Sequence, residues 1–215
     1  MKQIAYVGLD RCDFIYHLAN ILSLQGTVLV VDNSIGHDLI DSVSVDGTRQ
    51  MREWRNIVYA SDIDVAKSNT ESYAFVLVYM GMTFGMEDLE GNDYLLVMPD
   101  YTAQSIAKIK DGIPADLLSG EGTMIILRDN CSKRLTQKSV AQYIGIHPKK
   151  IVGYIALDRD DMGAYVSLGY NHYCNVKALS QDMIEALKFV SGVILGISDD
   201  SKTQAKVMAA ATKIK

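Results

Sequence analysis

The turn Gly8-Leu9-Asp10-Arg11-Cys12-Asp13 ends an apolar run and opens a helical one, and it places a cation, two carboxylates and a thiol within six residues. Turns of this kind attract anions, because a helix N-terminus offers unpaired N–H groups at the positive end of its dipole. A phosphate cradle of the form G-x-x-x-x-G-K-[ST] adds glycines that let the backbone wrap the ligand, a Lys for its charge and a hydroxyl for Mg²⁺. Here Gly8 stands without the second glycine, no Lys follows, and Asp10 and Asp13 carry the charge sign of phosphate itself. The turn has the frame of an anion site and altered chemistry.

Other reactive residue types are scattered. Asp32 ends the second apolar run, where it either binds a ligand or caps the next turn. Asp158, Asp160 and Asp161 (LDRDDMG) read as a solvated helix start in preference to a metal cluster. His17, His37, His147 and His172 show no ligand spacing and are expected at the surface or partly buried. Tyr165, Tyr170 and Tyr173 with His172 suggest a packed edge, with an aromatic binding face as the alternative. Cys12, Cys131 and Cys174 are odd in number and far apart, so neither a disulfide framework nor a zinc site is indicated. No G-x-S-x-G elbow and no G-x-G-x-x-G fingerprint occurs, which leaves hydrolase and dinucleotide readings without a motif.

The elements that must position these residues are legible from periodicity. Apolar runs at 3–8, 27–31, 74–80, 94–98, 123–127 and 151–156 lack polar alternation, as expected of parallel strands covered on both faces. Helical spacing appears over 13–25, with Phe14, Ile15, Leu18, Ala19 and Leu22 on one face and Gly26 at its end, and again over 101–110, 135–145 and 181–195. A helix start at Ser198–Asp200 predicts a terminal helix. Repeated β-α-β units of this kind give an α/β protein with a doubly wound, mainly parallel sheet and helices on both faces. Residues 41–72 are the least regular; they hold Trp54, one short strand at Ile57–Ala60, and otherwise read as a loop or partner-facing insertion.

The chain of 215 residues is expected to form one α/β domain over 1–215. Its net charge of -5 and dispersed basic residues argue against nucleic acid as a partner. No apolar run reaches the ~18 residues of a membrane span, and the start lacks a signal-peptide core, so a cytoplasmic location with reduced thiols is expected.

Taken together, these segments resemble the MinD/ParA superfamily of P-loop ATPases, including the TadZ-type proteins of pilus assembly. "HLANILSLQGTVLVVDNS" is similar to the family's first helix and second strand, and "ESYAFVLVYMGM", "NDYLLVMPDYTAQSIAKI", "TMIILRDN" and "QYIGIHPKKIVGYIALDRDDMGAYVSLG" follow the family's later segments in order. The resemblance sets Ala5–Asp13 against the family's K-G-G-x-G-K-[ST]-[ST] loop. It implies that Asp10 replaces the last loop glycine, Arg11 the phosphate-gripping Lys, and Cys12 and Asp13 the hydroxyl pair. It further implies that Asp32 is a retained acid while Ser34 replaces its water-orienting companion, that Tyr79 stands at the Mg²⁺-associated acid, and that Arg128 stands at an adenine-reading Asn.

Gly8, Asp10, Arg11, Cys12, Asp13, Asp32, Tyr79 and Arg128 are therefore the expected site, gathered at the C-terminal edge of the sheet. Phosphoryl transfer depends on positioning and charge stabilisation, so losing these parts together should remove efficient ATP hydrolysis. The resemblance implies a non-catalytic scaffold or localisation factor with protein partners, such as pilus or secretion components, and a homodimer across the face bearing the first turn. The alternative is a nucleotide-binding switch or slow ATPase in which Arg11 serves ATP or ADP phosphates and Asp13 or Asp32 holds Mg²⁺.

Overall fold

The computed structural model describes residues 1–9, 11–43, 50–62, 72–131 and 135–214. Asp10 and much of the 41–72 segment lie outside the described residues. Eight strands form one sheet: β1 (Lys2–Gly8), β2 (Val28–Asp32), β3 (Met51–Trp54), β4 (Ile57–Ala60), β5 (Phe75–Tyr79), β6 (Tyr94–Met98), β7 (Thr123–Asn130) and β8 (Ile151–Ala156). Their order is β3-β4-β2-β5-β1-β6-β7-β8, and every neighbouring pair is parallel except β3 with β4. Because β2 and β6 lie on opposite sides of β1, with β5 between β1 and β2, the chain reverses its winding beside β1. The crevice at the end of β1 is where a doubly wound sheet collects ligands.

Strand alternation divides the core into two layers. Ile4, Tyr6, Val28, Val30, Leu77 and Tyr79 pack beneath α1 (Asp13–Leu22), α2 (Asp38–Ser42) and the later helices α7 (Arg159–Asn171), α8 (Gln181–Leu195) and α9 (Ser201–Ala211). Ala5, Val7, Leu29, Val31, Val76 and Val78 pack beneath α3 (Met86–Leu89), α4 (Ala103–Gly112), α5 (Ala115–Ser119) and α6 (Gln137–Ile144) on the other face. The sheet is therefore covered on both sides, which is why its strands read as uninterrupted apolar runs.

Helix boundaries follow local chemistry. Thr102, Thr136 and Ser180 cap α4, α6 and α8 by accepting from the N–H of Ser105, Ser139 and Met183, respectively. Asp200 caps α9 through Lys202 and Thr203, as the helix-start signal at Ser198–Asp200 predicts. Helix α1 ends at Leu22, three residues before the predicted end at 25. Every residue of α1 is buried, because α8 and α9 close over the side predicted to face water.

Within the irregular segment, the predicted strand at Ile57–Ala60 is β4, and Met51–Trp54, expected as loop, forms β3 and makes a hairpin with it. β3 pairs antiparallel with β4 through a two-residue turn, Arg55-Asn56, with φ of 54° and 65°. Two successive positive φ values match the right-handed twist of the flanking strands. The Arg55 guanidinium lies 4.7 Å from the ring centroid of Trp54 and 4.8 Å from that of Tyr173, tying the hairpin to the segment after α7.

Gly8 is constrained by strand packing. A Cβ at this position would stand 2.3 Å from the backbone oxygen of Met98 in β6, where neither partner can yield without disturbing the ladder. Gly8→Ala is expected to cost about 2 kcal/mol, measured by urea unfolding; a change within ~0.5 kcal/mol would show that the ladder adapts.

Candidate functional site

The crevice beyond β1 is filled by a network of opposite charges. Asp13 opens α1, and its Oδ1 accepts from the Phe14 N–H at 3.0 Å. Both of its oxygens also accept from Arg128 on β7, Oδ1 from Nη1 at 2.7 Å and Oδ2 from Nη2 at 2.5 Å, a paired geometry that favours Arg over Lys. Arg128 is 0% exposed. Its neighbour Asp129, at φ 56°, turns its carboxylate back to accept from Arg11 Nη1 at 2.9 and 3.2 Å. Arg11 also donates from Nη2 to Asp13 Oδ2 at 3.1 Å, and its guanidinium lies 5.2 Å from the ring centroid of Tyr165 on α7. Two arginines and two aspartates therefore balance one another.

Protonation follows from this packing. Burial alone would raise the Asp13 carboxyl, but Arg128, through its charge and hydrogen bonds, and then Arg11 hold it below the usual carboxylate range. Burial disfavours the charged form of Arg128, yet the facing Asp13 outweighs it and raises its pKa. The Tyr6 hydroxyl, fully buried beneath the pair, donates to Met98 Sδ at 3.3 Å, and burial raises its pKa. Cys12 is also enclosed, with Sγ 3.9 Å from both Asp38 O and Ser42 Oγ, and burial pushes its thiol up to about 12. A thiol that stays protonated is a poor nucleophile.

Asp32 lies nearby with both oxygens engaged. Oδ1 accepts from the Ser34 N–H at 3.2 Å and from the Ser34 hydroxyl at 2.5 Å, and Oδ2 accepts from the N–H groups of Leu39 and Ile40 at 2.9 and 3.0 Å. Asp32 thereby organises the turn into α2, and burial raises its pKa against these donors. Tyr79, the neighbour of Asp32 in the β2–β5 ladder, donates its hydroxyl to Leu9 O at 3.2 Å. It fastens the turn from below.

The structure brings Gly8, Arg11, Cys12, Asp13 and Arg128 together at the end of β1, with Asp32 and Tyr79 at the adjoining strand ends; Asp10 lies outside the described residues. Asp129 is the member that sequence reasoning missed. Its signal was weak: a polar residue following Arg128 at a strand end, with nothing to announce its left-handed backbone.

Several expectations change on contact with the structure. Asp161 is not solvated; it is 2% exposed and accepts from the N–H and hydroxyl of Ser180, each at 2.7 Å, while Asp158 caps α7. His17 is 1% exposed, because α1 is enclosed on all sides. The tyrosines and His172 do not share one face: Tyr165 meets Arg11, Tyr173 donates to Ile214 O at 2.7 Å, His172 Nδ1 lies 3.3 Å from Ser42 O, and Tyr170 is 83% exposed. Among the described residues, no cluster of His, Cys, Asp or Glu suits a metal ion, and no helix is long and apolar enough to cross a membrane.

Solved structures share this architecture. The chain is similar to a ParA family ATPase from Chlorobium tepidum TLS (15% identity, 99% of each chain covered, TM-score 0.61). It is also similar to a chain of the MinC:MinD cell division protein complex of Aquifex aeolicus (14% identity, 100% of this chain and 99% of that one, TM-score 0.60). A third similar structure is a putative plasmid partition protein from Borrelia burgdorferi bound to AMPPNP (12% identity, 91% of this chain and 99% of that one, TM-score 0.60). No protein-family model matches the chain, and no curated protein matches it in sequence. The fold is that of the ParA/MinD P-loop ATPases.

Proposed function

We propose that this chain is a non-catalytic localisation factor or scaffold of the ParA/MinD type, acting as one domain through protein partners, with a pilus or secretion apparatus as the machine it helps to place. The observation that carries this reading is the charge balance in the crevice. Arg11, the residue set against the phosphate-gripping Lys, already holds Asp13 and Asp129, and Arg128 is buried against Asp13. A triphosphate entering here would have to displace carboxylates from both arginines. Asp32 has its oxygens taken by Ser34, Leu39 and Ile40, and Tyr79 stands where the family carries a Mg²⁺-associated acid. These donor and acceptor sets do not fit Mg²⁺-nucleotide.

The rim suits a protein contact. Met162, Val166 and Tyr170 recur every fourth residue along α7 and are 38%, 50% and 83% exposed, and Ile35 in the β2–α2 loop is 80% exposed. Tyr165 carries the same helix onto Arg11. A homodimer formed across this end, as the family resemblance implies, would cover these side chains. The structural neighbours include a cell division protein in a MinC:MinD complex and a putative plasmid partition protein, which is the kind of role proposed.

Isothermal titration with ATP and ADP, with and without Mg²⁺, to millimolar concentration is expected to show no saturable heat. Saturable Mg²⁺-dependent binding that Arg11→Ala or Asp32→Ala removed would overturn the scaffold reading. It would establish the alternative, a nucleotide-binding switch.

A further inference from the structure

At the β8 edge of the sheet, one strand beyond Arg128 and Asp129, lies a cavity of about 400 Å³. Its floor is the outer strand β8 at Val152, Gly153 and Tyr154, and one wall is α8, presenting Asp182, Glu185 and Phe189. Gly153 leaves it open: a Cβ there would meet only the Ile126 side chain, at 3.8 and 3.9 Å, an ordinary contact, and its φ is not in the left-handed region. Neither space nor backbone geometry requires glycine at this point, and what the missing side chain creates is room. Tyr154 and Phe189 are 50% and 40% exposed. Asp182 Oδ2 accepts from the Ala156 N–H at 3.2 Å, which fixes one carboxylate beside the strand. No Lys or Arg is among the described residues lining the notch.

We propose that this notch is the docking site for an extended basic segment of a partner protein, which lays a Lys or Arg side chain over Gly153. The alkyl stem would rest on Val152 and Phe189 while the cation reaches Asp182 and Glu185, the arrangement that long basic side chains favour on mixed apolar and acidic surfaces. The partner's backbone would run along the outer edge of β8, which among the described strands pairs with β7 alone.

Charge disfavours a second copy of this chain docking notch to notch. With the two-fold axis at the notch, Asp182 and Glu185 would approach their own duplicates. The ladder is irregular there: Ile125 pairs with Ile151 but Ile126 with Gly153, so Val152 is an extra residue, and an incoming strand would pair with β8 on the C-terminal side of it. The proposal does not depend on whether the crevice binds nucleotide.

The test is selection of a phage-displayed library of random linear peptides on the full-length protein, with the enriched peptide synthesised and its affinity read by fluorescence anisotropy. Enriched peptides should carry a Lys or Arg, and replacing it with norleucine should weaken binding about tenfold. Gly153→Val, which fills the notch, should weaken binding to a similar degree, and Glu185→Gln about threefold, both with unchanged thermal unfolding. Amide exchange over Val152–Ala156 should slow when the peptide is added. The proposal is overturned by enrichment of peptides without a cation, by no enrichment, by binding indifferent to both variants, or by self-association of the protein that Gly153→Val abolishes.

Discussion

Replacing Arg128 by Met is expected to destabilise the protein by about 3–5 kcal/mol in urea unfolding near neutral pH. The Asp13 carboxylate is 1% exposed and takes two hydrogen bonds from Arg128, so removing the guanidinium leaves a buried anion with Arg11 as the cation paired with it among the described residues. That residual partner places the loss at the lower end of the range. Asp13→Asn should cost a comparable amount, because Arg128 has 0% exposed side chain and, among the described residues, keeps Asp129 as its ion-pair partner, with Oδ1 3.7 Å from Nε. The double variant Asp13→Leu with Arg128→Met should recover most of the loss, since well-packed apolar groups often replace a buried ion pair without penalty. A single-variant cost below ~1 kcal/mol would mean that the pair behaves as a solvated surface bridge, and the picture of a charge-filled crevice would fail.

The same experiment separates structure from function at this site. Arg11 has an 11% exposed side chain and bridges Asp13 to Asp129 at the rim. Its loss should be mild for folding beside that of Arg128. The two arginines are thus unequal: one is enclosed in the core, and the other bridges two carboxylates nearer the surface.

The sheet was legible because its strands are continuous apolar runs, and strands covered on both faces can be recognised without knowing their neighbours. Gly8 and the turn after it were legible for the same reason, since a strand that ends in glycine before a helical pattern is a local signal. The charge network was not. Arg128 lies 115 residues from Asp13, and only the order β1-β6-β7 brings them together. Asp13 is the first residue of α1 and not its cap, and within the turn its carboxylate reaches only the adjacent Phe14 N–H, at 3.0 Å. Strand β3 escaped notice because Met51–Trp54 alternates exposed and partly buried positions at the sheet edge, with no apolar run to announce it. The full burial of α1 depends on α8 and α9, some 170 residues later, and no local pattern in "DFIYHLANIL" reports what will cover it.

Enclosure of α1 has its largest consequence at His17. Neither ring nitrogen has a hydrogen-bond partner among the described residues, and the ring packs edge-on against Tyr16 at 5.2 Å. Burial lowers its pKa to about 4; attraction from Asp13 opposes this in smaller measure, and repulsion from Arg128 adds to it. The folded protein therefore keeps His17 neutral while the unfolded chain takes up a proton below ~6.5, so stability is full above that pH and falls as the pH drops toward 4. One proton across about 2.5 pH units amounts to about 3 kcal/mol. Asp13, held below its ordinary range, adds its own loss only below ~4, as protonation removes the anion that Arg128 and Arg11 grip. The two windows are distinct, and a single substitution tells them apart. His17→Leu should abolish the decline between pH 6.5 and 4, leave the more acidic one in place, and raise stability at neutral pH by about 1 kcal/mol, since two unpaired polar atoms leave the core. Urea midpoints measured across that range for both proteins decide it: parallel curves would show that His17 is protonated in the folded state, and that α1 is less tightly enclosed beneath α8 and α9 than its packing indicates.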